Sequence, residues 1–147
     1  MTAKEYLYRI KNLDTEVNIK LEELKCLKQK SLGVQPISFE QKVKSSNGNS
    51  SNRVIDKIID LESLINSEIN ELINIKAEAH DLITQLKNPK HRSLLTEYYL
   101  NNKTLEQTAE TMKYSYDYIR HLHSGALANF RKIYSEKYII YFTNNIE

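Results

Sequence analysis

The chain predicts an all-α fold: a long antiparallel helical hairpin of coiled-coil type, then a C-terminal trihelical unit of helix-turn-helix layout. Two observations point there. Apolar residues recur at three- and four-residue spacing through two long segments and a shorter C-terminal tract. Helix breakers are scarce, with three Gly and two Pro in 147 residues and no Trp.

The first segment, roughly Lys4–Lys30, places Leu7, Ile10, Leu13, Val17, Leu21, Leu24 and Leu27 on one stripe, with Lys and Glu filling the rest. It reads as one long amphipathic helix. Residues 31–52 follow as a loop, and Ser45–Asn52 in particular can bury nothing. That stretch is expected to be flexible and the first to be cut by proteases. The second segment, roughly Arg53–Lys87, carries Ile58, Leu61, Ile65, Leu72, Ile75, Ala79, Leu82 and Leu86 at heptad spacing. Glu68 interrupts the stripe, and Ile59, Ile69 and Ile73 widen it. As a helix it would be on the order of 50 Å long. Neither helix can hide its stripe alone, so the two pair as a hairpin over residues 1–88. Two such hairpins would bury still more, and Ile58, Leu61, Ile65, Leu72 and Ile75 are the expected homodimer contacts. A monomeric scaffold is the alternative.

Asn88-Pro89 stops the second helix and starts a third, since Asn can cap and Pro suits a first helical position. That helix, His91–Leu100, offers Leu94, Leu95 and Tyr98 to a core. After the turn Asn101-Asn102-Lys103, Thr104 and Gln107 form a capping-box start, T-x-x-Q. Leu105, Thr108, Ala109 and Met112 line one side of a two-turn helix. Lys113-Tyr114-Ser115 breaks the pattern, and Ser115 can cap a final helix with the stripe Ile119, Leu122, Ala126, Phe130 and Ile133. Residues 89–134 thus form the trihelical domain. The tail 135–147 is aromatic, with Tyr138, Tyr141 and Phe142. It extends the last helix, covers the hairpin or contacts another protein.

Opposite the final stripe, at about 100° per residue, lie Asp117, His121, Ser124 and Ala128, flanked by Arg120, Arg131 and Lys132. A packed back, a small polar front and nearby arginines suit the major groove of DNA. The pattern alone leaves two readings open, a DNA reader or a plain packing unit.

Composition limits the alternatives. The formal charge is +2. From Pro89 onward there are eight Lys/Arg against six Asp/Glu, so any basic signal is a local patch on one helix. A single cysteine, Cys26, excludes an intramolecular disulfide and a multi-thiolate zinc site. His121 and His123 are two apart on a helix and point about 200° from each other, so they do not share a metal ion. His123 is expected to be packed. No Gly-rich phosphate loop or nucleophile elbow is present. No enzyme activity, cofactor or metal is expected. The N-terminus reads as no signal peptide and the longest apolar run is too short for a bilayer, so a cytoplasmic protein is expected.

The run Tyr114-Ser115-x-x-x-Ile119-Arg120-x-Leu122-x-x-x-Ala126-Leu127-x-x-Phe130-Arg131-Lys132 resembles the end of region four of bacterial sigma factors. With the opening MTAKEYLYRIKNLD, the tract Val54–Leu72 and the segment Leu94–Tyr99, nearly the whole chain resembles the ArpU-type late-gene transcription regulators of phages of Gram-positive bacteria. The resemblance implies a phage or prophage transcription regulator that binds promoter-region double-stranded DNA in the host cytoplasm. Arg120, His121 and Asp117 would face bases, with Ser124 on the same face. Arg131, Lys132 and Lys113 would hold phosphates, and Ser115 and Tyr116 would lie near the DNA backbone. The chain departs from the pattern where Lys113 replaces the usual turn Gly, and where Tyr116 and Tyr118 replace basic residues. No promoter-melting segment is present, so autonomous sigma activity is not implied. The rival expectation is an adaptor that contacts RNA polymerase or another phage protein without reading DNA. A third reading is a structural coiled-coil protein.

Overall fold

The computed structural model describes residues 1–33 and 49–144. The protein is all-α. Its elements are α1 (Ala3–Ser31), α2 (Asn49–Thr84), α3 (Pro89–Leu95), a π-helical turn (Thr96–Leu100), α4 (Leu105–Met112) and α5 (Tyr116–Asn144). Among the described residues there is no strand, and no helix is long and apolar enough to cross a membrane.

Two compact units make up the chain. One is Thr15–Glu71; the other joins Met1–Asp14 to Leu72–Glu147. This division differs from a boundary at residue 88. The first turns of α1 and the last turns of α2 belong with the C-terminal helices, because a trihelical unit alone encloses too small a core.

Within Thr15–Glu71, Lys20 pairs with Glu68 and Lys28 with Glu62. Numbers rise along α1 as they fall along α2, so the two segments run antiparallel. Glu68 interrupts one apolar stripe and Lys20 the other, and the two neutralise each other where an unpaired charge would be costly. Lys20 takes the stripe position between Val17 and Leu24, which leaves Leu21 flanking it and 39% exposed. Val17 and Ile65 are buried, while Leu24, Leu27, Ile58 and Leu61 are half-buried. Ile19, Ile55, Ile59 and Leu64 remain exposed. Cys26 is exposed and unbridged.

The loop expected over 31–52 is shorter than that. Ser31 closes α1, and Asn49–Asn52 already belong to α2. Asn and Ser favour helix starts, and adding turns to a formed helix costs little. Residues 34–48, including Ser45–Gly48 of the expected flexible stretch, lie outside the described residues, as do residues 145–147.

The larger unit has one core. Ala3, Tyr6, Leu7 and Ile10 of α1 are buried, as are Leu72, Ile75, Ala79, Leu82 and Ile83 of α2. Leu86, Leu94, Leu95, Tyr99, Leu100, Ala109, Ile119, Ala126, Phe130 and Tyr134 complete it. Ile65, Leu72 and Ile75 are therefore consumed by packing within one chain. They supply no surface for the dimer contact expected of them; Ile58 and Leu61 are only partly covered.

Two local features set how the C-terminal helices enter this core. After Thr84 the chain turns, and the Arg92 guanidinium donates to the carbonyls of Leu86 (2.5 Å) and Lys87 (3.2 Å). Asn88 then caps α3, its Oδ1 accepting from Lys90 N at 2.9 Å with Pro89 in the first turn. The expected third helix changes type midway. The turn Thr96–Leu100 is π-helical, and Asn101 N–H donates to Thr96 O at 2.9 Å. A π turn advances the buried face by five residues instead of four. Leu94 and Leu95 are thus followed inside by Tyr99 and Leu100, and Tyr98, expected in the core, is only half-buried. Of the expectations for the tail, extension of the last helix is the one observed, since α5 runs on to Asn144.

Candidate nucleic-acid interface

Local chemistry builds the α4–turn–α5 segment. Thr104 Oγ1 accepts from Gln107 N (3.1 Å), and Gln107 Oε1 accepts from Thr104 N (3.0 Å), a closed capping box. At the other end of α4, Lys113 takes a left-handed conformation (φ 59°, ψ 43°). Tyr114 N–H donates back to Ala109 O at 3.0 Å, the six-to-one bond of a Schellman ending. A residue with a Cβ pays sterically for this conformation, which is why glycine is usual there. Ser115 Oγ then accepts from Tyr118 N at 3.2 Å and caps α5.

The final helix packs on α3 and α4 through Ile119, Ala126 and Phe130. Leu122 and Ile133, expected on that stripe, are half-buried, while Tyr134 is buried. The contact line drifts around so long a helix, because 3.6 residues per turn does not match a fixed 3-4 repeat. Gly125 lies under the His91 ring: a Cβ there would sit 3.6 Å from Nε2.

Tyr116, Asp117, Arg120, His121 and Ser124 are all exposed and share the outer face of α5. Lys113 and Ser115 are exposed at its start, and Arg131 and Lys132 farther along. Arg131 is eleven residues beyond Arg120, about 16 Å along the axis. It sits on the wall of a groove beside Tyr6, Arg9 and Glu78, away from the helix start. The His121 ring folds back so that Nδ1 donates to Asp117 O at 2.6 Å. A carbonyl can only accept, so Nδ1 donates in this contact. Asp117 also stands in the first turn of α5, where a carboxylate complements the helix dipole without any ligand.

His121 and His123 have unlike surroundings. His123 Nε2 meets the Tyr99 hydroxyl at 2.8 Å. Burial holds the imidazole below its ordinary range, and Lys4 adds to the effect. Burial pushes the Tyr99 phenol up. Among the described residues no three His, Cys, Asp or Glu side chains gather as a metal site.

Two features of this region have no local sequence signal. Lys90, from the first turn of α3, reaches the start of α5. Its Nζ donates to Tyr118 Oη at 3.2 Å and lies 5.3 Å from the Tyr114 ring and 5.6 Å from the Tyr118 ring. Those rings are 4.8 Å apart. A cation thus stands beside positions where a sigma-like helix would carry its own. The second feature is Lys11 of α1, whose Nζ donates to the carbonyls of Tyr98 (2.9 Å) and Lys103 (2.7 Å). It ties α1 to the turn ahead of α4.

No curated protein gives a significant match to the chain, and no solved structure does. A family profile described as "Protein of unknown function (DUF1492)" matches residues 34–128, well over half of the chain, and the protein belongs to that family.

Proposed function

We propose that the protein is a DNA-binding transcription regulator of phage or prophage origin. In this reading α4 and the turn brace α5, and the outer face of α5 reads promoter-region DNA in the major groove. The observation that carries the reading is the division of α5. Ile119, Ala126 and Phe130 are fully packed, while Tyr116, Asp117, Arg120, His121 and Ser124 stand together outside. Arg120 suits a guanine edge, and His121 stands beside it on the same exposed face. Lys113 and Lys132 serve phosphates, and Lys90 joins them from α3. The resemblance to sigma region four and the ArpU-type regulators supports the same reading. A second copy would supply a second reader, joined through apolar side chains left exposed on the hairpin, such as Ile55 and Ile59.

The protein-adaptor reading draws on the same surface. Tyr114, Tyr116 and Tyr118 are exposed together at the start of α5, an aromatic patch that also suits a protein partner such as RNA polymerase. Labelled duplexes tiled across the genome that encodes the protein separate the two. A DNA reader binds one or a few tiles far more tightly than the rest, and all binding weakens steeply as salt rises. No retention of any duplex at low salt, together with capture of RNA polymerase, would establish the adaptor instead.

A further inference from the structure

A groove of the unit that joins Met1–Asp14 to Leu72–Glu147 lies away from the start of α5. It is an open groove of about 900 Å³ between the start of α1, the end of α2 and the later turns of α5. That volume falls within the range of small-molecule sites, which pair an aromatic lining with a few placed polar groups. Its aromatic wall is a row of three tyrosines. The Tyr6 and Tyr134 ring centroids are 5.1 Å apart, and those of Tyr134 and Tyr138 are 4.4 Å apart. Lys4, Arg9 and Arg131 contribute three cations. The one carboxylate of the lining, Glu78, is already paired with Lys137 at 2.5 Å. The groove therefore presents net positive charge beside flat rings.

A second observation is independent of shape. Tyr6 is 3% exposed, and its hydroxyl is buried with no hydrogen-bond partner. Buried hydroxyls are nearly always paired, and an unpaired one costs stability. The groups that act on this hydroxyl electrostatically, Glu78, Tyr138, Tyr134 and Arg9, are themselves groove residues. Arg131 makes no ion pair or side-chain hydrogen bond among the described residues.

We infer that this groove binds a small aromatic anion: a flat ring bearing a phosphate or carboxylate, up to the size of a nucleoside monophosphate. The Arg131 guanidinium takes the anion as a fork and the tyrosine row takes the ring, and the rings shift to bring an acceptor atom of the ligand to the Tyr6 hydroxyl, which has no exposed surface in the unliganded groove. The inference does not depend on whether α5 reads DNA.

Calorimetric titration of the full chain with adenosine monophosphate, phenyl phosphate and benzoate tests it, with adenosine and inorganic phosphate as controls. At least one aromatic anion should bind in the micromolar to low millimolar range, and both controls should bind much more weakly. Arg131→Ala and Tyr6→Phe should each weaken that binding about tenfold or more. Tyr6→Phe should leave the melting temperature of the unliganded protein unchanged or raised, since it removes an unsatisfied hydroxyl. The inference is overturned if none of the three anions binds at tens of millimolar. It is equally overturned if binding is indifferent to both substitutions, or if a control binds as well as the aromatic anions.

Discussion

Arg120 and Arg131 share a helix and a charge but not a place. Arg120 lies beside Asp117 and His121 on the outer face near the start of α5, while Arg131 borders the groove toward α1. If α5 reads DNA, Arg120→Ala should weaken specific binding by about 1–3 kcal/mol and relax preference at one base position. Lys132→Ala should weaken all sequences alike and flatten the salt dependence. Anisotropy titrations on a specific and an unrelated duplex give both quantities, and unchanged affinity for both variants at low salt refutes the reading. Lys113 carries two opposed effects in one side chain. Its left-handed backbone favours glycine, so Lys113→Gly should stabilise the fold by about 0.5–1 kcal/mol in urea unfolding. The same change removes a cation at the turn and should lower the salt slope of DNA binding by about one. A destabilised variant would mean that the lysine side chain holds the turn in place. His123 sets a pH dependence. Its folded-state value is depressed by burial, with Lys4 adding to the effect, while the unfolded chain takes up the proton near the ordinary value of about 6.5. Above that pH both states are neutral and the histidine brings no penalty. As pH falls below it, the unfolded chain binds the proton first and stability is lost, until the folded ring is protonated as well. Buried His91 is depressed by the same cause and adds to the trend. Urea midpoints should therefore fall between pH 7.5 and pH 5, and His123→Gln should flatten the fall. A variant with the wild-type slope would exclude His123 as its source.

At the scale of elements, what the sequence made legible was what is local. The Thr104–Gln107 box, the Ser115 cap and the Asn88-Pro89 start each depend on residues within a turn of one another, and each is present. The packed and outer faces of α5 were legible for the same reason, since periodicity alone separates Ile119 from His121. The π turn was not. Nothing in Thr-Glu-Tyr-Tyr-Leu marks an extra residue per turn, and an α-helical count places Tyr98 inside where the structure places Tyr99. Lys11 and Lys90 carry no local signal, because their partners are 87 and 28 residues away. The π register has a measurable consequence. Tyr99 is fully buried and bonded to His123, so Tyr99→Ala should cost about 3–5 kcal/mol. Tyr98 is half-buried, with Lys11 over its ring at 4.2 Å, and Tyr98→Ala should cost less than half as much. Equal losses, or a larger loss at Tyr98, would return the turn to an α-helical register.

For the molecule as a whole, charge and apolar surface bear on the same question. A net charge of +2 gives one copy weak attraction for DNA, because each phosphate neutralised contributes to affinity. Two linked readers multiply that affinity without any new contact per reader. Unit Thr15–Glu71 leaves Ile19, Ile55, Ile59 and Leu64 exposed, more apolar surface than a solvated helix pair needs. The buried residues first expected to join two copies cannot test this. Ile65 is 2% exposed, and Ile65→Lys would bury a charge without a partner and unfold the hairpin, whatever the oligomeric state. The exposed pair can. Ile55→Lys with Ile59→Lys changes side chains that are 48% and 58% exposed, so helix content and thermal midpoint should barely move. Sedimentation equilibrium should show a wild-type dimer and a folded monomer for the double variant. The monomer should also lose affinity for a two-half-site duplex while keeping its affinity for a single half-site. A wild-type monomer at high micromolar concentration would refute the dimer and leave each reader to bind alone.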